Sequence, residues 1–215
     1  KLAVFGNPIA HSLSPLLHTE FARQCSININ YQKIFTPIDE FKKTVDAFRA
    51  SGGIGANITA PFKFEAYDYC DEHTDRAKCT RTVNTFIFKN NICVGDNTDG
   101  VGLLCDFQKK QIDCRGKNIL ILGAGGAVQS ILGELILQKP HKIFIVNRMP
   151  EKIKNRIDFF ASLFQIEYYH GEKIDLLINA IPARAGCACN IDLSHTICYD
   201  LNYGARHNSF LTWAQ

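Results

Sequence analysis

The run Asn118-Ile119-Leu120-Ile121-Leu122-Gly123-Ala124-Gly125-Gly126-Ala127 decides the fold of the second half of this chain. Its apolar part is continuous, as in strands that a parallel sheet buries on both faces. Glycines follow at once, and residues 128–137 then form a helical pattern. Such glycines let the backbone approach a pyrophosphate, and the start of the helix offers free N–H groups. The run therefore predicts a dinucleotide site, with an ordinary glycine-rich turn as the alternative.

The next apolar strand, residues 143–146, ends in Asn147-Arg148 rather than in an acidic residue. An enzyme that uses NAD places a carboxylate about 20 residues beyond the glycine turn, where it binds the ribose 2′-hydroxyl. Arginine instead attracts a 2′-phosphate, and Lys152, one turn further on, adds a second positive charge. The pattern therefore predicts NADP(H) as the cofactor, with two solvated surface cations as the alternative.

The composition changes at Gly116-Lys117, where the apolar strand of the second half begins. Before this point, short β-rich runs alternate with helical patterns, as expected for an α/β domain. We therefore expect an N-terminal α/β domain with a mixed sheet at residues 1–99 and a connecting helix and linker at residues 100–115. Residues 116–215 are expected to form a Rossmann-like domain. The predicted fold class is α/β, with a cleft between the two domains.

Apolar periodicity and turn residues locate the individual elements. Strands are predicted at residues 2–5, 31–35, 55–58, 83–88, 92–94, 143–146, 175–178 and 197–201, besides the strand that precedes the glycines. Helices are predicted at residues 15–24, 38–50, 100–110 and 151–164, besides the one that follows the glycines. Ser14 is predicted to cap the first helix, with Pro15 as its first residue. Asn90-Asn91 is predicted to form a two-residue hairpin turn.

Composition excludes several classes of protein. Lysine and arginine number 24 against 21 acidic residues, a net charge of +3, and no basic run is dense enough to follow a nucleic acid backbone. No apolar run approaches the roughly 20 residues that a membrane helix needs. The first residues lack the pattern of a signal peptide, although the chain begins close to a strand and some N-terminal sequence is expected to be missing. We therefore expect a soluble, cytoplasmic protein.

The chain has 9 cysteines, an odd number, scattered from Cys25 to Cys198. Reduced thiols are therefore expected. Cys187 and Cys189 are separated by one residue rather than by the two that are common in zinc sites, so no metal site is predicted.

Polar clusters in the first half sit at or just beyond the ends of predicted strands, where open α/β sheets bind ligands. The clusters are Gly6-Asn7-Pro8-Ile9-Ala10-His11-Ser12-Leu13-Ser14-Pro15, Gly55-Ala56-Asn57-Ile58-Thr59-Ala60-Pro61-Phe62-Lys63, Val83-Asn84-Thr85 and Gly95-Asp96-Asn97-Thr98-Asp99-Gly100. Together with the glycine turn and the Asn-Arg strand end, these clusters resemble the shikimate dehydrogenase family. The resemblance covers nearly the whole chain.

The resemblance implies roles for individual residues. Ser12 and Ser14 match positions that hold the substrate carboxylate, and Lys63 with Asp99 matches the catalytic pair. Positions that bind the ring hydroxyls and the ketone are matched by Asn57, Thr59, Asn84 and Asp99, and Tyr203 matches a tyrosine that reaches the substrate. Asn179, Ala180 and Leu201 match the segment that lines the cofactor. His11 and His18 are left out, because the family uses neither as its proton donor.

Each site residue also has a structural interpretation. Ser14 is explained equally well as a helix cap, Lys63 as a surface lysine, and Asn57 and Asn84 as residues that satisfy turn backbone groups. Two parts of the chain depart from the family: the stretch Ile181-Pro182-Ala183-Arg184 is not hydroxyl-rich, and Gln129 stands where a basic residue is common. Relatives also continue past the position of Trp213 into helices that return to the first domain, and these helices are absent from this sequence.

The implied function is the NADPH-dependent reduction of 3-dehydroshikimate to shikimate, a small-molecule reaction on the way to chorismate and the aromatic amino acids. A quinate and shikimate dehydrogenase that uses NAD, or a non-catalytic metabolite-binding relative, is the alternative. A third alternative is another NADP enzyme of two domains, such as a folate-linked dehydrogenase, which would not need the paired serines. The oligomeric state stays open, with a homodimer as one alternative.

Overall fold

The structure, a computed structural model, describes residues 1–181, 191–203 and 208–214. Contacts within the chain divide it into two compact units, Lys1–Asp99 and Gly100–Gln215. Cys187 and Cys189, which were considered as metal ligands, lie outside the described residues, as does the family departure from Pro182 to Arg184.

The first unit contains a six-stranded mixed sheet in the order β2-β1-β3-β5-β6-β4. Its strands are β1 (Leu2–Gly6), β2 (Tyr31–Phe35), β3 (Gly55–Ile58), β4 (Glu72–His73), β5 (Thr85–Lys89) and β6 (Ile92–Asp96). Its helices are α1 (Ser14–Gln24), a 3-10 turn at Ile38–Glu40, α2 (Phe41–Ala50), α3 (Lys63–Tyr69) and α4 (Asp75–Thr80), and α5 (Asp99–Lys109) begins at its last residue.

Strand direction reverses within this sheet. β1 runs parallel to both β2 and β3, whereas β5 is antiparallel to β3 and to β6. In this register Asn57 lies opposite Thr85, and Thr85 lies opposite Asp96. The ends of β1, β3 and β6 and the start of β5 therefore meet at one edge of the sheet. That edge carries all four polar clusters and is called the polar edge below.

Aromatic packing forms the core of the first unit. Phe41 stacks on Phe62 with ring centroids 5.0 Å apart, and Phe5 meets Phe48 edge to face at 5.5 Å. All four rings are buried. α2 places Phe41, Val45 and Phe48 on one face at spacings of three and four, so this face is buried against the sheet.

The second unit contains a five-stranded sheet in the order β11-β10-β7-β8-β9, and every neighbouring pair is parallel. Its strands are β7 (Asn118–Leu122), β8 (Lys142–Val146), β9 (Ile166–Tyr168), β10 (Leu176–Asn179) and β11 (Ile197–Asp200). Besides most of α5, its helices are α6 (Gly126–Leu137), α7 (Pro150–Phe160) and α8 (Asn208–Ala214). Ile119, Leu120, Ile121 and Leu122 are fully buried, as predicted for a strand covered on both faces. The predicted Rossmann-like fold is confirmed.

Most predicted elements are confirmed, but three assignments are wrong. The helix predicted at 151–164 ends at Phe160, and Ile166 then begins β9 beside β8. The helix predicted at 38–50 is divided into a 3-10 turn and α2. Ser14 is not the helix cap, because Leu13 occupies that position and Ser14 is already helical. The short elements α3, β4, α4, β9 and α8 were not predicted.

The described residues include no helix that is both long enough and apolar enough to cross a bilayer.

Candidate active site

Ser12 and Ser14 come together at the start of α1. The Ser12 hydroxyl donates to Ser14 Oγ at 3.1 Å, and the backbone N–H of Ser14 donates to Ser12 Oγ at 3.2 Å. Ser12 therefore satisfies one of the N–H groups that a helix start leaves unpaired. Ser14, which is freed from capping, presents its hydroxyl beside that of Ser12. Two hydroxyl donors at a positive helix end suit a carboxylate ligand.

The side chains of Lys63, Asn84 and Asp99 form a polar cluster in the first unit. The Lys63 ammonium donates to Asp99 Oδ2, and Asn84 Nδ2 donates to Asp99 Oδ1 at 2.7 Å. The Lys63 and Asp99 side chains are 12% and 28% exposed, so the pair is largely removed from water while one side remains open. Lys63 is therefore not a surface lysine.

Backbone contacts explain why these three residues meet. Lys63 starts α3, and its carbonyl accepts the Val83 N–H at 2.9 Å. The neighbouring Asn84 N–H donates to the Asp96 carbonyl at 3.0 Å, and the Asn84 carbonyl accepts the Ile58 N–H at 2.8 Å. Asn84 thereby joins the ends of β3 and β6 just before β5 begins.

Asn57 and Thr59 lie on either side of the last residue of β3. Asn57 Oδ1 accepts the Tyr31 hydroxyl at 2.6 Å, and Asn57 Nδ2 faces Thr85 Oγ1 at 3.4 Å. The Thr59 N–H donates to the Phe5 carbonyl at 2.9 Å. Thr59 also explains Gly6, because a Cβ at position 6 would stand 2.5 Å from the Thr59 methyl carbon.

The glycine turn of the second unit is built for close approach. Gly123 has φ of +115°, a left-handed value that favours glycine, and a Cβ there would lie 3.3 Å from the Ala180 carbonyl oxygen. A Cβ on Gly125 would meet none of the described atoms within 4 Å. Gly125 therefore leaves open space directly before Gly126, where α6 begins. These features fit a bound pyrophosphate.

The predicted phosphate-binding residues follow β8. Asn147 Oδ1 accepts the Met149 N–H at 3.0 Å, which closes a tight turn after the strand. Arg148 and Lys152 are both exposed, as a ligand-binding cation can be.

Asn179, Ala180 and Leu201 lie at the ends of β10 and β11. Asn179 is buried, its Nδ2 donates to Asp200 Oδ1 at 3.0 Å, and its carbonyl accepts the Leu201 N–H at 2.9 Å. The Ala180 N–H donates to the Leu122 carbonyl, which places Ala180 next to the glycine turn. Tyr203, the predicted substrate residue of the second unit, is 57% exposed.

Sequence reasoning missed three polar residues near these clusters. Tyr31 contacts Asn57, and Thr98 Oγ1 accepts from Asn84 Nδ2 at 3.0 Å. Arg156 Nε donates to the carbonyl of Ala124 in the glycine turn at 3.3 Å, and partial burial lowers the pKa of its guanidinium. Thr98 lies inside the polar cluster at residues 95–100, where the pattern does not distinguish it from its polar neighbours. Tyr31 and Arg156 lie within a strand and a helix, where the pattern carried no polar signal.

A parallel sheet with a glycine turn and a separate α/β unit with a partly buried lysine–carboxylate pair together define the class of dinucleotide-dependent oxidoreductases with two domains. Residues 4–86 match the family model described as the shikimate dehydrogenase substrate binding domain. The chain is 42% identical over 224 aligned residues to the shikimate dehydrogenase (NADP(+)) of Nitrosomonas eutropha, and the match covers 99% of the chain and 81% of that relative. The chain therefore belongs to the shikimate dehydrogenase family.

Solved structures agree with this assignment. The shikimate 5-dehydrogenase of Thermus thermophilus in complex with shikimate matches with a TM-score of 0.80 and 27% identity, covering 94% of this chain and 77% of that one. A shikimate dehydrogenase in complex with NADP+ matches with a TM-score of 0.83 and 25% identity, covering 98% of this chain and 80% of that one.

Proposed function

We propose that this chain catalyses the reversible, NADPH-dependent reduction of 3-dehydroshikimate to shikimate, a step toward chorismate and the aromatic amino acids. The observation that carries the proposal is the Lys63–Asp99 pair, held by Asn84 in the unit that matches the family's substrate-binding model. Residues 1–99 are assigned to the substrate and to catalysis, residues 116–215 to the cofactor, and residues 100–115 to the connection.

In this proposal, two groups of residues along the polar edge bind the substrate. Ser12 and Ser14 donate to the carboxylate, since paired hydroxyls at a helix start are suited to an anion. The ring hydroxyls and the carbonyl oxygen are held by Asn57, Thr59, Asn84 and Asp99, with Tyr203 from the second unit assigned to the substrate as well.

Lys63 is the proposed general acid. Bound NADPH supplies the hydride that reduces the ketone carbon. The ketone oxygen then carries negative charge, and the Lys63 ammonium polarises this oxygen and donates one proton to it, which gives the secondary alcohol and a neutral amine. Asp99 holds the Lys63 ammonium in place and accepts a substrate hydroxyl, while Asn84 fixes the other Asp99 oxygen. Solvent returns the proton to Lys63.

The cofactor assignment rests on the residues of the second unit. The pyrophosphate is assigned to the open turn formed by Gly123, Ala124, Gly125, Gly126 and Ala127. Arg148 and Lys152 are assigned to the 2′-phosphate, with Asn147 shaping the turn that carries them. Asn179, Ala180 and Leu201 are assigned to the ribose and nicotinamide side.

The direct test is a steady-state assay of the purified chain that follows nicotinamide absorbance with shikimate and NADP+. The same assay with quinate and with NAD+ separates the proposed activity from that of a quinate and shikimate dehydrogenase. Higher kcat/KM for shikimate with NADP+ than for either substitute is the expected result. Absence of turnover together with measurable shikimate binding would instead support a non-catalytic relative.

We also propose a cytoplasmic location. Within the described part of the chain, the cysteines at positions 25, 70, 79, 93, 105, 114 and 198 are free thiols, which is typical of a reducing compartment. Sedimentation of the purified chain decides between a monomer and a homodimer.

A further inference from the structure

Tyr31 connects two parts of the polar edge that the sequence treats as separate motifs. Its hydroxyl donates to Asn57 Oδ1 at 2.6 Å. Its ring contacts that of His18 in α1, the helix whose first residue is Ser14. The start of α1 and the asparagine at the end of β3 are therefore connected through one side chain.

Two elements fix the position of this phenol. Tyr31 is the first residue of β2 and pairs with Leu2 of β1. Its ring stacks on that of His18 with centroids 4.4 Å apart and an interplanar angle of 24°. His18 is itself tied to α1 through a hydrogen bond of 2.9 Å between its Nδ1 and the Ser14 carbonyl. The sheet and the helix together set where the hydroxyl lies.

The direction of the Tyr31–Asn57 hydrogen bond determines how the Asn57 side-chain amide is oriented. Burial raises the pKa of Tyr31, so the phenol keeps its proton near neutral pH. Because that single proton goes to Asn57 Oδ1, the Asn57 NH2 group is directed to the opposite side. There it faces Thr85 Oγ1 at 3.4 Å and the Asn84 carbonyl at 3.5 Å. The orientation of the Asn57 amide is therefore set by Tyr31.

The orientation of the Asn57 amide affects a wider hydrogen-bond network that reaches Asp99. The Thr85 hydroxyl donates to Asn84 Oδ1 at 2.8 Å, and Asn84 Nδ2 donates to Asp99 Oδ1. The line of hydrogen bonds thus runs from Tyr31 through Asn57, Thr85 and Asn84 to the carboxylate beside Lys63. Networks of this kind act as a unit, because each bond fixes the direction of the next.

We propose that Tyr31 is a positioning residue that sets the orientation of the Asn57 amide, so that this amide binds a ring hydroxyl of the substrate. This inference rests on the proposed function, since that function assigns Asn57 to shikimate. Tyr31 acts through Asn57 and needs no contact with the reacting atoms.

Tyr31→Phe removes the hydroxyl and keeps the stacked ring. The KM for shikimate should rise about tenfold, because the Asn57 amide loses the partner that fixes its orientation. The KM for NADP+ should stay within about twofold of the wild-type value, since the change is confined to the substrate unit. A matched control is Tyr69→Phe, because the Tyr69 hydroxyl also donates a hydrogen bond of 2.6 Å, to Asp46, in the same unit. This control should change neither KM.

A double variant distinguishes a positioning effect of Tyr31 on Asn57 from a general destabilisation of the substrate unit. If Tyr31 acts through Asn57, then Tyr31→Phe added to Asn57→Ala should raise the KM for shikimate by less than it does in the wild type. Fully multiplicative effects would mean that the two residues act independently and would overturn the inference.

A spectroscopic readout keeps the inference independent of activity. The side-chain amide resonances of Asn57, observed in protein isotopically labelled at asparagine and assigned with Asn57→Ala, should move in Tyr31→Phe and not in Tyr69→Phe. A wild-type chain that does not oxidise shikimate would defeat the proposed function, but these resonances would still decide the role of Tyr31. Unchanged Asn57 resonances in Tyr31→Phe would overturn it.

Discussion

Lys63 and Asp99, which are 36 residues apart in the chain, form an ion pair at the polar edge of the first sheet. Asp99 is held on its other oxygen by Asn84, so the carboxylate has a fixed partner on each side. A buried charge is tolerated only when it is paired in this way. The pair therefore places an ammonium in a site where water is scarce and one side is open.

Replacement of Lys63 tests its role as the proton donor. Lys63→Ala should lower kcat by about 100-fold to 10,000-fold, the range typical of a positioned general acid. NADPH binding, measured by fluorescence titration, should be retained, because Lys63 belongs to the substrate unit. Lys42→Ala, at an exposed lysine of the same unit, is the control and should leave kcat unchanged. Turnover retained in Lys63→Ala would remove Lys63 from the mechanism.

Arg148 is expected to select the phosphorylated cofactor. Arg148→Ala should raise the KM for NADPH about tenfold, since a charge-assisted bond to phosphate is lost, and should leave the KM for NADH nearly unchanged. Lys154→Ala, which removes an exposed cation from the following helix α7, is the matched control. An unchanged ratio of the two KM values in Arg148→Ala would show that Arg148 is a solvated surface cation and not a ligand of the 2′-phosphate.

Gly125 allows binding and stability to be tested separately. Its φ of −86° suits any residue, and no described atom lies within 4 Å of a Cβ built there, so Gly125→Ala should fold with an unchanged melting temperature. The added methyl group should nevertheless obstruct the pyrophosphate and raise the Kd for NADPH about tenfold or more. Gly102→Ala, in the exposed part of α5, also meets no described atom and is the control. Normal NADPH affinity in Gly125→Ala would place the pyrophosphate elsewhere.

Asp96 should make stability depend on pH. Burial raises the pKa of this carboxyl, but hydrogen bonds from Arg76, Thr74 and the Asn97 N–H outweigh burial, and the net pKa is lowered. A lowered pKa stabilises the fold above the unfolded value of about 4 and loses that contribution as the pH falls through the folded value. Asp96→Asn should therefore lower the free energy of unfolding by about 1–3 kcal/mol near neutral pH, with a smaller difference below about pH 4.

Urea unfolding across this pH range measures that difference. Asp75→Asn is the control, because its 3.7 Å ion pair with Lys78 is exposed and should contribute little. A difference between wild type and Asp96→Asn that did not shrink in acid would show that the charge of Asp96 is not the cause.

Local sequence patterns predicted the fold of the second unit well, because one strand and the helix after it are enough to identify that fold. The continuous apolar run of β7 correctly predicted that this strand is buried on both faces. It also predicted that β7 has parallel neighbours, as the pairing with β8 and β10 shows. Short elements were missed because α4 and β4 contain too few residues for a period to be seen. Ser14 was misassigned because a serine before a proline resembles a cap, whereas Ser12, two residues earlier, supplies the hydrogen bond.

The sequence motifs predicted which residues form the candidate site better than they predicted the hydrogen bonds between those residues. The Lys63, Asn84 and Asp99 side chains meet, but the sequence gives no sign that Tyr31 reaches Asn57 across 26 positions. That contact depends on β2 and β3 flanking β1, a pairing that only the folded sheet displays. Long-range hydrogen bonds of this kind leave no periodic trace in the chain.

The reversed direction of β5 also has a practical consequence. Because β5 starts at the polar edge and runs away from it, the turn at Asn90-Asn91 emerges at the opposite end of the sheet. Both asparagines have positive φ and are exposed, and Arg49 donates to the Asn91 carbonyl there. This turn is therefore a suitable attachment point for a fluorescent dye or a surface tether that leaves the chemistry at the other end undisturbed.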